Sequence, residues 1–512
     1  MTPGFQARRW RERAHNRPVN GSRRVLLVYP RITSGWQAQP RVEIPLGLLC
    51  LSAPLRQQGY EVRILDQRVE PDWRLSLRRE IDRRPVCVGV SSMTGPQIRH
   101  ALEVSRLVKT HGTTPVVWGG IHPTILPEQT LENNAIDFVV QGDGEQSFPE
   151  LVQAIEDGRS PRDVKGVWFK EDGRIVHAGR RPHAALNEQP PLDYHLLDLK
   201  KYFRAISGVG HLNFLTSRGC TRSCAFCFTA AAGSKRWRAM DADLAVERIA
   251  SAVRTYGVRG VTFIDNDFFA DMDRGRRILE GLVRENLDLR VSKVSIPPDT
   301  LLRMTGGDLA LLARAGCRRL TIAVESGSDR MQTLLNKKTD LPALRDLNRR
   351  LRGSPLVPHF LFMMGMPTET REDLSASVSL ALELLDENPE GDAFFNIFTP
   401  FPGTRLFDVT VQHGLRAPER LEDWAASDYR NLTQGAPWLS ADMRGLVEML
   451  AFCGFFLGKR SYLQSKDNTN AFVRLLSRGY AAVARTRVKH LWGGFAVEIK
   501  LARLAGLYAR QD

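Results

Sequence analysis

Cysteine is scarce in this chain: seven residues in 512. Four of the seven, Cys50, Cys87, Cys317 and Cys453, are scattered through apolar surroundings with no partner at ligand spacing. That pattern excludes a disulfide framework and reads as buried core thiols in a reducing cytosol, so a cytoplasmic protein is expected. Long apolar runs are missing as well. The longest, residues 449–458, falls short of the about 20 residues a bilayer-spanning helix needs. The first residues are rich in Arg and nearly free of acid, yet no apolar region with a cleavage site follows them. Residues 1–23 therefore read as a disordered basic arm and not as a targeting signal. After the first probable strand the chain reads Pro30-Arg31-Ile32-Thr33-Ser34-Gly35, so G-x-G-x-x-G is absent and a nicotinamide dinucleotide drops out. Acidic residues are outnumbered, leaving a formal charge of +15. A basic surface suits an anionic substrate, nucleic acid or an acidic membrane face. With no helix-turn-helix and no aromatic RNA signature, nucleic acid is the weaker option.

What is present is strand-helix alternation, twice over. Within residues 24–158, short β-branched runs at 25–29, 61–66, 86–91, 115–118 and 137–140 alternate with helix-length segments at 46–58, 97–111 and 145–156. This predicts a doubly wound, Rossmann-like parallel sheet. A ligand would bind beyond the carboxyl ends of its strands, where the loops are 30–44, 92–95, 119–123 and 141–145. A proline-marked linker, residues 159–205, follows. Residues 206–415 then repeat the unit, with strands at 212–216, 260–265, 289–295, 318–324, 358–363 and 393–398, which predicts a partial (β/α)6 barrel.

In such barrels the catalytic groups sit at the carboxyl ends of the strands, and five polar or glycine-bearing clusters occupy those ends here. They are the cysteine loop, Asp265-Asn266-Asp267, Glu325-Ser326-Gly327-Ser328, Gly365-Met366-Pro367-Thr368-Glu369 and Pro400-Phe401-Pro402-Gly403-Thr404. A lone carboxylate at a strand end is more commonly a cap or an ion pair. Convergence of five segments on one face is the stronger signal. The loop itself reads Cys220-Thr221-Arg222-Ser223-Cys224-Ala225-Phe226-Cys227. Three thiolates at C-x3-C-x2-C spacing can hold three corners of a 4Fe-4S cluster and leave one iron open. The rival, a structural zinc knuckle, needs a fourth ligand, and His211 is the only candidate nearby.

The cysteine spacing resembles the signature of the radical S-adenosylmethionine (radical SAM) enzymes. That resemblance implies Cys220, Cys224 and Cys227 as cluster ligands and S-adenosylmethionine on the open iron, cleaved by an electron from the cluster to a 5'-deoxyadenosyl radical. Phe226 would pack near its adenine. Asp265 and Asn266 would stand near its amino group, Glu325 at its ribose or amino-acid moiety, and Gly365 and Met366 against the adenine. The N-terminal domain resembles the cobalamin-binding domain found in one class of these enzymes. The likeness lies in Pro45-Leu46-Gly47-Leu48, in Trp118-Gly119-Gly120-Ile121-His122-Pro123-Thr124 and in Val139-Val140-Gln141-Gly142-Asp143-Gly144-Glu145. It implies that Gly119, Gly120 and His122 lie at the cobalamin. The chain departs from histidine-ligated cobalamin proteins in lacking D-x-H-x-x-G, so no histidine from that motif is expected on cobalt. His122 reads as a loop-packing residue before a cobalt ligand.

The likeness covers about residues 24–415. It implies a cobalamin-dependent methyltransferase acting on an unactivated carbon of a small-molecule intermediate, with an oxidative cyclase or rearrangement enzyme as the alternative. A cofactor sensor or RNA-binding protein is the reading from another class, and it leaves the barrel's strand-end clusters idle. An electron donor such as flavodoxin or ferredoxin is implied. The mostly helical remainder, 416–512, should shape the substrate pocket. Its apolar stretch and the basic surface suit a substrate partly hydrophobic and partly anionic. From Val488 onward, apolar residues at helical spacing with basic flanks offer either packing on the core or peripheral membrane contact.

Overall fold

The computed structural model describes residues 23–32, 42–203, 210–233, 236–427, 435–458, 471–494 and 497–504. Most of the basic arm thus lies outside the described residues. The chain forms two compact units. The first comprises Met1–Arg204, Ala231–Gly233 and Ala417–Asp428; the second comprises Ala205–Ala230, Ser234–Arg416 and Tyr429–Asp512.

In the first unit β1 (Arg24–Tyr29), β2 (Glu61–Asp66), β3 (Cys87–Ser91), β4 (Val116–Gly119) and β5 (Phe138–Val140) run parallel. Two antiparallel strands, β6 (Val167–Glu171) and β7 (Arg174–His177), extend the sheet to the order β2-β1-β3-β4-β5-β6-β7. The order reverses at β1 and β3, the crevice where open sheets of this kind take ligands. Val25, Leu26, Leu27 and Val28 of β1 are all buried, the continuous apolar run expected of a strand covered on both faces. Gly89 in β3 admits a helix closely: a Cβ there would stand 2.8 Å from Leu27 and 3.0 Å from Phe148, the latter on the helix Gly144–Glu156. The β6–β7 hairpin falls within the stretch that reads as linker. Its turn, Asp172-Gly173, has φ of +48° and +75°.

A late segment of the chain also belongs to this unit. Leu421–Ala426 forms a 3-10 helix beside the helix Gln97–His111. Asn133 donates to Glu422 at 2.8 Å, Arg106 pairs with Glu422 at 3.2 Å, and Gln129 donates to Pro418 O at 3.0 Å.

In the second unit β8 (His211–Phe214) is followed by a two-residue antiparallel pair, β9 (Ser217–Arg218) with β10 (Arg238–Ala239). Then come β11 (Gly260–Phe263), β12 (Arg290–Lys293), β13 (Arg319–Glu325), β14 (Val357–Met364) and β15 (Asp392–Ile397). Parallel ladders give β12-β11-β8 and β13-β14-β15. Parallel bridges Val291–Cys317 and Ser295–Thr321 set β12 beside β13, so the six long strands run in chain order, as a partial barrel requires. Helices between them start at recognisable caps. Thr305 with Asp308, and Thr370 with Asp373, form capping boxes that satisfy otherwise orphaned N–H groups.

The helix Ala441–Cys453 buries Leu446, Val447, Met449, Leu450, Phe452 and Cys453. In the basic tail Val488, Leu491 and Ile499 are buried while Trp492, Val497 and Leu501 are more than half exposed; Phe495 lies outside the described residues. Among the described residues no helix is long and apolar enough to cross a membrane.

Candidate functional site

The cysteine loop is anchored at its start by Asp265. This carboxylate, at the end of β11 and 1% exposed, accepts from Thr216 N at 3.2 Å, Thr216 Oγ1 at 2.7 Å and Ser217 Oγ at 2.6 Å. Burial raises its pKa, and the two hydroxyls oppose that rise. Its acceptors are turned to the loop's root, a strut between β8 and β11. Asn266 is exposed, 3.3 Å from Thr229 Oγ1. Inside the loop Arg222 pairs with Asp299 at 2.7 Å and with the fully buried Asp267, and donates to Thr300 at 2.7 Å. Buried carboxylates seldom stand unpaired, which explains why an arginine lies between two of the cysteines.

The loop's second half is held by backbone. Ala225 N donates to Leu335 O at 2.9 Å and Leu406 N donates to Ala225 O at 2.9 Å. Ala225, Met331, Leu335, Met363, Met366, Phe398 and Leu406 form a buried cluster, with Phe226 packed against it. Met366 is fully buried, so its side chain is part of the floor below the loop. Cys220, Cys224 and Cys227 are free thiols, each partly exposed. Burial raises the pKa of Cys224, Lys337 opposes, and Cys227, Glu325 and Cys220 raise it further; the three sulfurs lie within each other's field. Among the described residues no group of three His, Cys, Asp or Glu side chains is drawn together closely enough to hold a single metal ion. The fit to an iron-sulfur cluster lies in the donor set, three free, part-exposed thiols in one short loop, which is the chemistry such clusters take.

Two strand ends border this loop. Glu325 follows a register shift in the β13–β14 ladder and holds φ +68°, a conformation non-glycine residues rarely adopt. Its Oε1 lies 3.4 Å from Lys337 Nζ. Gly365, at φ +77°, donates its N–H to Glu369 Oε2 at 2.6 Å, and Met366 N donates to the same oxygen at 3.2 Å. Burial pushes Glu369 up to about 8 against these two bonds. Trp438 donates to Gly365 O at 2.8 Å. The turn is thus clamped from both sides, and Val447 of the helix Ala441–Cys453 lies about where a Cβ on Gly365 would make contact, at 3.4 Å.

In the first unit the loops after β3 and β4 interlock. Ser92 N donates to Gly119 O at 2.8 Å and His122 N to Ser92 O at 3.2 Å. Gly120 holds φ +102°, and a Cβ there would stand 2.6 Å from Ser92 O, so only glycine fits. His122 is fully buried. Its Nδ1 is 3.0 Å from Thr94 Oγ1, its Nε2 has no hydrogen-bond partner among the described residues, and its ring meets Trp424 edge-on at 5.7 Å. Burial lowers its pKa to about 3, so the ring is neutral. Gly142, φ +80° with open space where a Cβ would go, donates its N–H to Thr124 Oγ1 at 3.0 Å. Such a glycine-bearing rim at the carboxyl ends of a parallel sheet fits the close approach of a large, flat cofactor.

Sequence reasoning did not single out Lys337, Trp424 or the clamp by Glu369. The signals were faint: a lysine pair after a helix, one tryptophan in an acidic turn, and a glutamate four residues after a glycine.

Two families of known proteins match successive stretches of the chain. A B12 binding domain model matches residues 40–152 and a radical SAM superfamily model matches residues 214–381. The chain is 30% identical over 379 residues to an uncharacterized methyltransferase of Pyrococcus horikoshii, covering 72% of this chain and 79% of that one. It is 27% identical over 458 residues to cytidylyl-2-hydroxyethylphosphonate methyltransferase of Streptomyces wedmorensis, 77% of this chain and 83% of that one. The anaerobic magnesium-protoporphyrin IX monomethyl ester cyclase of Synechocystis is 25% identical over 339 residues, 64% of this chain and 66% of the cyclase. Among solved structures, the cobalamin-dependent S-adenosylmethionine radical enzyme OxsB shares the fold, with a TM-score of 0.69 at 18% identity over 94% of this chain and 75% of that one.

Proposed function

We propose that this chain, which belongs to the cobalamin-binding radical SAM enzymes, transfers a methyl group to an unactivated carbon of a small-molecule biosynthetic intermediate. One observation carries the reading: the likeness to a methyltransferase extends over 77% of the chain, through both the cobalamin-binding and the barrel regions. When bound, the cluster with S-adenosylmethionine supplies one-electron chemistry and cobalamin supplies a carrier for the methyl group.

The chain's own residues bind and orient. Cys220, Cys224 and Cys227 would hold the cluster, on a loop whose root is fixed by Asp265 and whose far side rests on Ala225 and Phe226. Glu325 would accept from the ribose or amino-acid moiety, presented by its left-handed backbone. Gly365 would offer a flat wall to the adenine, kept in place by Glu369 and Trp438, with Met366 as packing beneath it; Asn266, exposed after β11, would meet the amino group. Gly119 and Gly120 would let cobalamin approach backbone, with the enclosed, neutral His122 as support for that loop. Fixed placement of this kind is a large part of catalysis where two reactants must meet. The buried apolar helix Ala441–Cys453 beside Gly365 favours a substrate with a hydrophobic part, and the charge of +15 favours an anionic group on it. A flavodoxin or ferredoxin is the fitting electron donor, and free thiols suit the cytoplasm.

The likeness to the protoporphyrin ester cyclase favours a second reading, oxidative cyclisation. Anaerobic incubation with methyl-labelled S-adenosylmethionine, cobalamin, reductant and extract of the source cells separates the two. Label in a new carbon-bound methyl, with 5'-deoxyadenosine and S-adenosylhomocysteine both formed, is the expected result. Deoxyadenosine with an altered, unlabelled product would turn the assignment to cyclisation.

A further inference from the structure

Lys337 lies where the chain folds back onto the cysteine loop. Asn336 Nδ2 donates to Ser223 O at 3.0 Å and reaches Ser223 Oγ at 2.9 Å, while Ala225 N donates to Leu335 O at 2.9 Å. Ser223 and Ala225 flank Cys224. The turn that carries Lys337 is therefore stapled to the loop on both sides of the middle thiol. Asn336 and Lys338, on either side of Lys337, hold φ of +51° and +53°. Left-handed conformations at non-glycine residues cost free energy and persist where the surroundings fix them, commonly at functional sites.

The lysine itself is enclosed. Its side chain is 11% exposed, and its Nζ is 3.4 Å from the carboxylate of Glu325, whose side chain is 12% exposed. A buried ammonium needs anions around it. Glu325 is one; the thiolate of Cys224, between the two residues to which this turn is bonded, would be another. The loop's other cation, Arg222, already faces two carboxylates, Asp267 and Asp299.

We propose that Lys337 is an electrostatic positioning residue for the cluster on Cys220, Cys224 and Cys227, its ammonium offsetting the negative charge gained when the cluster is reduced. The proposal rests on the assignment of those three ligands. In the reduction one electron passes from a one-electron donor to the cluster, whose charge falls by one. No proton moves in this step, and no bond forms or breaks. Reduction potentials of iron-sulfur clusters respond to local charge and burial in this way.

The test uses the full chain, reconstituted without oxygen, with iron and sulfide counted per chain. Native protein, K337M, K337Q and K337R are titrated with dithionite at defined potentials, and the reduced cluster is read by electron paramagnetic resonance. In the neutral variants the reduced-to-oxidised ratio at a fixed potential should fall roughly tenfold, about 59 mV for a one-electron couple; K337R should titrate as the native protein does. An unchanged midpoint in an iron-replete K337M or K337Q overturns the proposal. So does loss of iron from both neutral variants with retention in K337R, because Lys337 would then serve assembly and not potential. Native protein that takes up no cluster would overturn the ligand assignment itself, and this proposal with it.

Discussion

Replacing Glu369 by Gln should remove a pH dependence of stability from the barrel unit. Glu369 is 7% exposed. One oxygen accepts from Gly365 N and Met366 N, and the other has no partner among the described residues. Burial moves the group from 4.5 to about 8 in the fold, with Asp373 adding to the rise and Arg330 opposing it. A folded pKa above the unfolded one means the native state holds the proton more tightly. The stabilisation is then fully present below about pH 4.5 and is lost as pH rises through about 8. At about 1.4 kcal/mol for each unit, the rise corresponds to roughly 4–5 kcal/mol between those limits. Glutamine mimics the protonated acid: its carbonyl can accept the two N–H bonds and its NH2 replaces the hydroxyl. Denaturant unfolding followed by tryptophan fluorescence from pH 5 to 9, with Trp438 bonded to the same turn, should show native protein losing stability relative to E369Q as pH rises. A constant difference between the two across that range, or one that favours the native protein at high pH, would refute the reasoning.

Changing any one of Cys220, Cys224 or Cys227 to Ala should abolish the brown absorbance of anaerobically reconstituted protein together with cleavage of S-adenosylmethionine; zinc in place of iron in the native protein would sink the cluster assignment. Trp424→Ala removes the ring against His122 and the 2.6 Å bond from the indole to Gln129 Oε1. A loss of about 3 kcal/mol or more is typical for such a buried aromatic, and equilibrium dialysis should show weaker cobalamin retention; retention equal to the native protein's would separate residues 417–428 from cofactor binding. Cobalt(II) resonance spectra should lack coupling to a protein histidine nitrogen, since D-x-H-x-x-G is absent and His122 is fully buried with its Nδ1 3.0 Å from Thr94 Oγ1. Nitrogen coupling that disappears in H122A would contradict that placement.

Local signals made the strand-helix alternation readable. A parallel strand such as β1 must be apolar on both faces, so Val25 to Val28 stand out as an unbroken run. The cysteine loop stood out for a related reason: the cluster proposed for it depends on spacing within one loop. The β6–β7 hairpin also had a local signal, the Asp172-Gly173 turn that suits a two-residue connection, but the prolines around it favoured a linker reading. What stayed hidden depends on contacts between distant segments. Nothing around Trp424 shows that it will lie against His122, some 300 residues earlier in the chain, because an exposed turn and a docked one have the same composition. Asp265 shows the same limit at the site itself. Its position at a strand end suggested a ligand contact, yet its oxygens accept from Thr216 and Ser217, and whether a strand-end carboxylate faces a ligand or braces the loop that does is decided by residues that arrive from the neighbouring strand. Lys337 extends the point, since its place beside Cys224 follows from Asn336 and Leu335 gripping Ser223 and Ala225, a pairing that spacing alone does not encode.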